Sequence, residues 1–351
     1  MVARGPGEES PVRKLGLGLL ALFYILLTPI AVTGQTTKGT LYGSVTNGTA
    51  DGGPVANLEI VLRIFQDSAE VESLTTVTDT QGQFQFEGLE TGSDWVYLVR
   101  VTYQDVIYSG GMLAFQQGQS ELEAEILVYE TTASMQAVQI GRAHLLVSLT
   151  ETGLEVTELY VFVNTTDRTY VGTERIDGRL WTSRFRLPQA SHDLTLNDGS
   201  LGGRFLSTEE GFVDTEPQWP GSTQVLFAYA LDCPSGLCNL ERQLDHPISD
   251  LNVLIPDVGV TVDSKQFAFQ GKMDAQGQPY LNYAASDLAS ETNLDLRIRL
   301  DGAPASDSTS STSRTSTQAL PWIILGTVLV GLALIYPFWR RRIESAARQD
   351  Q

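Results

Sequence analysis

The chain has 351 residues, 42% of them apolar, which is enough for two ordinary domains with real cores and too apolar for a disordered chain. Its formal net charge is −19, and residues 35–318 alone hold 16 basic and 38 acidic side chains, a net charge of −22. So acidic a body is repelled by phosphate backbones and anionic lipid headgroups, which argues against nucleic-acid binding and against lying flat on a membrane.

Residues 15–32 are apolar apart from Tyr24 and Thr28, follow Arg13-Lys14, and run into small residues at Thr33-Gly34. This is the pattern of a secretory signal peptide over residues 1–34. A run of about 18 apolar residues is also long enough to remain as an uncleaved signal anchor. Pro29 and the small-residue exit favour cleavage.

From residue 39 to residue 108, short alternating apolar runs are separated by turn signals about every ten residues, which predicts a small β-sandwich over residues 35–111. The runs are residues 40–45, 58–65 with Leu58, Ile60, Leu62 and Ile64 on one face, 75–78 leading through Asp79-Thr80-Gln81-Gly82 to Phe84 and Phe86, and 95–101. Gly43-x-Val45, Gly53-Pro54-Val55, Thr78-Asp79-x-x-Gly82-x-Phe84, and Leu89-x-x-Gly92 before an aromatic-rich strand resemble the carboxypeptidase regulatory-like, transthyretin-like domain. The resemblance covers residues 39–109. It implies a non-catalytic sandwich of a kind found beside peptidase domains, in outer-membrane proteins and in surface proteins. No Glu stands two or three residues after His144, His192 or His246, so the His-x-x-Glu signature of a zinc peptidase is absent.

Residues 112–138 read as a connecting segment, in which Glu121, Glu123 and Glu125 alternate with Leu122, Ala124, Ile126 and Val128 as a strand leaving the first domain. A second β-sandwich is predicted over residues 139–301, with strands at 144–149, 154–163, 180–187, 224–231, 251–255, 267–271 and 294–300. Asp177-Gly178, Asp198-Gly199 and Gln276-Gly277 supply turns. Cys233 and Cys238 are the two cysteines, with Pro-Ser-Gly-Leu between them, and in an oxidising compartment this spacing suits a disulfide-closed loop. A redox pair would show two intervening residues, and a zinc site would need further ligands nearby.

Residues 302–318 are dominated by Ser, Thr, Ala and Asp and have the composition of a flexible stalk. Residues 320–338 carry no charge, with Trp322 at one border and Tyr336 and Trp339 at the other. At about 1.5 Å rise per residue they match the hydrocarbon thickness, which predicts a transmembrane helix over residues 319–339. Arg340, Arg341 and Arg342 follow directly, so residues 340–351 form a cytoplasmic tail and the acidic body lies outside the cytoplasm.

Within the body, each constellation with chemical potential has a plainer use. His144 begins an apolar strand, as packed histidines do. His192-Asp193 and Asp245-His246 are sequence neighbours, which on a strand point to opposite faces and form no dyad. Asp51, Asp79, Asp94 and Asp105 are a conceivable Ca²⁺ set, but Asp also favours turns for its own hydrogen bonds. Trp95, Tyr97, Tyr103 and Tyr108, or Trp181 and Trp219, could stack on a sugar, although core packing is the commoner use of such rings. Asn47-Gly48-Thr49 and Asn164-Thr165-Thr166 match the N-glycosylation acceptor.

The expectation is therefore an all-β chain of two β-sandwiches in tandem plus one C-terminal transmembrane helix. No catalytic, cofactor or metal residue is assigned. It is expected to act at the outer face of the cell membrane by binding an envelope protein or a carbohydrate. The alternatives are a hydrolase with its site in the second domain, and a single-pass subunit of a membrane complex.

Overall fold

The computed structural model describes residues 38–300, except positions 234 and 276. The signal peptide expected over residues 1–34, the expected stalk, the expected helix bordered by Trp322, Tyr336 and Trp339, and Arg340 to Arg342 lie outside the described residues. Among the described residues no helix is long and apolar enough to cross a membrane, and regular structure is β apart from one 3₁₀ turn at Met135–Ala137.

The first sandwich contains β1 (Gly39–Asn47), β2 (Glu59–Gln66), β3 (Ala69–Val77), β4 (Gln83–Leu89), β5 (Trp95–Tyr103), β6 (Val106–Leu113) and β7 (Glu121–Val128). One sheet has the order β4-β1-β7 and the other β3-β2-β5-β6. Alternation does the sorting: Leu41 and Val45 of β1, Ile60, Leu62 and Ile64 of β2, and Tyr97, Val99 and Val101 of β5 all point into one core. The motif glycines have physical causes. A Cβ on Gly43 would sit 2.2 Å from the Ala124 carbonyl and 2.5 Å from the Phe84 ring, so only glycine lets β1 pass between its two neighbours. Gly82 takes φ +81° while Asp79 Oδ1 accepts the backbone N–H of Gln81 and of Gln83, both at 2.8 Å, closing the turn into β4.

The segment expected to connect the domains is built differently. Its strand, β7, pairs in parallel with β1 from Thr40↔Glu121 to Asn47↔Val128 and sends Leu122, Ala124, Ile126 and Val128 into the first core. It completes the first sandwich instead of leaving it, because a strand with one wholly apolar face is stable only where that face is covered.

The second core is assembled on a seven-stranded mixed sheet. Its strands are β8 (Val138–Leu149), β9 (Gly153–Asn164), β11 (Ser191–Leu196), β14 (Gly221–Asp232), β16 (Ile248–Pro256), β18 (Ala268–Ala275) and β19 (Gln278–Leu288). The order is β11-β14-β9-β8-β16-β19-β18. Two three-stranded sheets pack with it. One comprises β10 (Ser183–Arg186), β13 (Gly211–Asp214) and β12 (Phe205–Thr208), and the other β15 (Leu237–Asn239), β20 (Leu296–Leu300) and β17 (Val260–Ser264). Phe185, Phe205 and Phe212 from the first, and Cys238, Leu296 and Ile298 from the second, share a core with Val156, Phe162, Phe227 and Tyr229 of the large sheet. Cys233 and Cys238 are joined, S–S 2.01 Å, closing the loop between β14 and β15.

Candidate functional site

The two sandwiches meet along a hydrogen-bonded junction. Thr131-Thr132 pairs in parallel with Thr169-Tyr170. Thr49 Oγ1 donates to the Asp167 carbonyl (2.6 Å), Asp167 Oδ2 accepts from Ala50 N–H (2.8 Å), and Tyr108 OH meets Thr169 Oγ1 (2.9 Å). Behind this seam the Glu130 carboxylate accepts from Tyr103 OH (2.6 Å), Gly53 N–H (2.8 Å), Asn47 Nδ2 (3.1 Å) and Gln104. These donors, Tyr103 first, hold the Glu130 pKa down to about 2.

Beside the seam lies a cleft of about 1140 Å³, walled by Arg100, Val106 to Ser109, Leu127 and Tyr129 of the first sandwich and by Val171, Arg175, Arg179, Leu180 and Trp219 of the second. Its floor is anchored, since Val171 and Trp219 pack against the first core. Three arginines enter it. Arg175 Nη1 donates to the Gly178 carbonyl (2.6 Å), and Arg179 donates to the Gly203 carbonyl and to Thr215 Oγ1. Among the described residues no ion pair joins Arg100, Arg175 or Arg179 to a carboxylate. Arg63, Arg184, Arg186, Arg204, Arg242 and Arg297 each have at least one such pair. Two acids also line the cleft, Asp105 and Glu216, and Glu216 is held by Arg204 at 2.7 Å. Ile107 and Leu127, 57% and 48% exposed, add an aliphatic strip.

The residues singled out from sequence are placed as follows. His192 and Asp193 depart from the strand rule: Asp193 has φ +53°, β11 slips register between His192 and Thr195, and His192 Nδ1 meets Asp193 Oδ2 at 2.9 Å. That pair stands in solvent. Hydrogen bonding to Asp193, then to Asp232, raises the His192 pKa. Thr152 Oγ1 donates to Asp232 (3.2 Å) and not to the imidazole, so no hydroxyl is activated there. Asp245 and His246 do face apart. Asp245 meets Arg186 at 3.1 Å, whereas His246 is 3% exposed, stacks edge-on to Phe162 and has its pKa pushed by burial down to about 4. His144 lies on the outer face of β8, beside a cavity of about 300 Å³ shared with Arg142, Asp250, Asn252 and Asn282, and burial lowers its pKa to about 4.

The four acidic turns do not converge. Asp51, Asp79 and Asp105 follow β1, β3 and β5 at one pole, while Asp94 precedes β5 at the other and accepts from Gln66 Nε2 (2.8 Å). Among the described residues no three metal-ligating side chains gather. Tyr97, Tyr103, Tyr108 and Trp181 are core residues, and Trp95 and Trp219 pack against the first core, so these rings form no open platform. Both glycosylation matches are engaged: Asn47 Nδ2 donates to the Gly53 carbonyl, and Asn164 Nδ2, in a residue 4% exposed, donates to the carbonyls of Arg168 (2.7 Å) and Gln218 (2.9 Å).

Sequence reading missed one buried polar cluster. Glu158 occupies an inward position of β9, between Val156 and Tyr160, with no exposure. It accepts from Tyr160 OH and Tyr229 OH, both at 2.7 Å, and pairs with Arg242, which also reaches Tyr160 OH at 3.2 Å. The available signal was an acid at an apolar beat of a strand.

No family model and no curated protein matches the chain. Among solved structures it is similar to an M1 zinc metallopeptidase from Deinococcus radiodurans, at 13% identity and TM-score 0.30 over 47% of this chain and 42% of that one. The chain thus spans less than half the length of that peptidase. It is also similar to a DUF3823 family protein from Parabacteroides merdae (14% identity, TM-score 0.21, 59% of this chain and 91% of that one). A third is the RrgB pilus protein of Streptococcus pneumoniae (10% identity, TM-score 0.20, 79% and 64%). Likenesses of this size do not bear on what the chain binds. The resemblance of residues 39–109 to the carboxypeptidase regulatory-like domain is carried by its motifs alone.

Proposed function

We propose that the protein is a non-catalytic binding module, held at the outer face of a membrane through residues 319–339, that grips its ligand in the cleft between its two sandwiches. One observation carries the reading: in a body of net charge −22, three arginines that form no ion pair with a carboxylate among the described residues line a single cleft of about 1140 Å³. Positive charge left unpaired in an acidic field is a standing attraction for an anionic group, and guanidinium binds carboxylate bidentately. The histidines offer no comparable support for hydrolysis, since among the described residues neither His192 nor His246 has a hydroxyl partner. The test is capture of partners from solubilised membranes by the full-length protein. Arg100→Glu combined with Arg175→Glu is expected to abolish capture while circular dichroism stays unchanged; undiminished capture by the folded variant refutes the reading. For the orientation, protease added outside intact spheroplasts should digest the acidic body, and full protection of that body contradicts it.

A further inference from the structure

Resting on that reading, we infer that the cleft accepts an acidic segment of a partner protein in which aliphatic side chains flank the carboxylates, in preference to an acidic glycan. The walls discriminate between the two. A sugar is usually seated on an open aromatic face, with hydroxyls meeting planar polar groups. Here the rings are largely covered: Tyr108 is 5% exposed with its hydroxyl tied to the Tyr129 carbonyl and to Thr169, and Tyr129 and Trp219 are half-buried and packed against the first core. What the cleft leaves open is aliphatic. Ile107 and Leu127 are more exposed than their size and type warrant, and Val171, Leu180 and Pro217 line the opposite wall. Between these strips stand Arg100, Arg175 and Arg179, with Gln104 and Thr131 at the same surface. A chain that alternates Glu or Asp with Leu, Ile or Val satisfies both features at once: its carboxylates meet the guanidinium groups, and its aliphatic side chains cover Ile107 and Leu127. A polyuronate satisfies only the first.

The charge pattern also sets selectivity among proteins. The rest of the acidic body repels an acidic partner, so an acidic segment is held only where the arginines outweigh that field. Binding is accordingly weakened by salt, because the arginines are solvent-accessible and a Debye length at physiological ionic strength is about 8 Å.

The experiment uses the full-length protein with four probes: a ten-residue peptide alternating Glu and Leu, the same peptide with Gln for Glu, poly-glutamate, and polygalacturonate, each titrated by calorimetry at low and high salt. The Glu/Leu peptide is expected to bind most tightly. Arg100→Gln should weaken it about tenfold, the fold-change of about 1.4 kcal/mol, and Ile107→Ser should weaken it without altering its salt dependence. Among the described residues the Arg100 side chain makes no hydrogen bond, its charge acting on Glu70 only at a distance, and an unchanged circular dichroism spectrum checks that the variant is folded. Polygalacturonate binding as tightly as the Glu/Leu peptide, with the same loss in Arg100→Gln, overturns the peptide inference and leaves the cleft reading standing. If no probe binds, and Arg100→Glu with Arg175→Glu still captures partners from membranes, both fall.

Discussion

Replacing Glu158 by Gln should destabilise the second sandwich by roughly 3–5 kcal/mol, the cost of leaving one member of a buried ion pair without its partner. Glu158 has no exposure and Arg242 is 4% exposed at its side chain, so little solvent reaches the guanidinium when the carboxylate charge is removed. The hydroxyls of Tyr160 and Tyr229 lose their charged acceptor in the same step, each donating to Glu158 at 2.7 Å. At about 2–4 °C per kcal/mol for a sandwich of this size, the midpoint should fall by roughly 6–20 °C. Arg242→Met alone should be comparably damaging. Glu158→Leu together with Arg242→Met should recover most of the loss, since an apolar replacement of the whole pair leaves no unpaired charge. The assay is urea unfolding followed by near-ultraviolet circular dichroism of wild type, Glu158→Gln, Glu158→Leu, Arg242→Met and the Glu158→Leu/Arg242→Met variant, with the coupling taken from the cycle built on Glu158→Leu and Arg242→Met. Additive single effects, with a coupling below about 0.5 kcal/mol, would refute the assignment of Glu158 and Arg242 as one buried unit.

Acid should loosen the second sandwich through its two buried histidines. The folded-state pKa values of His144 and His246 lie near 4, below the ordinary 6.5, so stability is complete above pH 6.5 and is lost as pH falls toward 4. His246→Phe should flatten a melting profile over that range, and a slope unchanged from wild type counts against the burial argument. At the junction, Glu130 works over a lower window: with a folded pKa of about 2 its contribution is present above about pH 4.5 and lost below it, so Glu130→Gln should remove the part of the acid sensitivity that falls between those values. Reducing the Cys233–Cys238 bond opens a loop with a sequence separation of 5, worth about 2 kcal/mol by chain entropy, and should lower the midpoint of the second sandwich without unfolding it. Two free thiols in protein isolated without reductant would contradict the bond itself.

Alternation made the central strands legible and failed where a strand has no buried face or is cut short. β9 and β14 read plainly from sequence, because Leu154, Val156, Tyr160 and Phe162, and Val225, Phe227, Tyr229 and Leu231, keep the beat through long strands. β3 extends from Ala69, well before the readable run at residues 75–78, because its first half is exposed on both faces and has no apolar signal to give. β12 and β13, four residues each, carry Phe205 and Phe212 into the core but are too short to show a period. β7 was visible as a strand and misassigned in place, since alternation states which face is buried and not which sheet buries it. The His192-Asp193 pairing was missed for a related reason: neighbours point apart only on a regular strand, and the positive φ at Asp193 breaks the regularity. The arginine cleft had no sequence signal at all. Arg100 is about 75 residues from Arg175, and only the docking of the two sandwiches brings them to one surface.

That docking explains why the cleft can hold a fixed geometry for a ligand. Two sandwiches joined by a bare linker would change their mutual angle freely, and three arginines drawn from both would then present no constant spacing. Here the link from β7 is only residues 129–137, it is pinned by the parallel pairing of Thr131-Thr132 with Thr169-Tyr170, and Glu130 ties its start to Asn47, Gly53 and Tyr103. Thr49 and Asp167 add a second tie at the same end of β1. Glu130 is consumed in these bonds, accepting from four neutral partners.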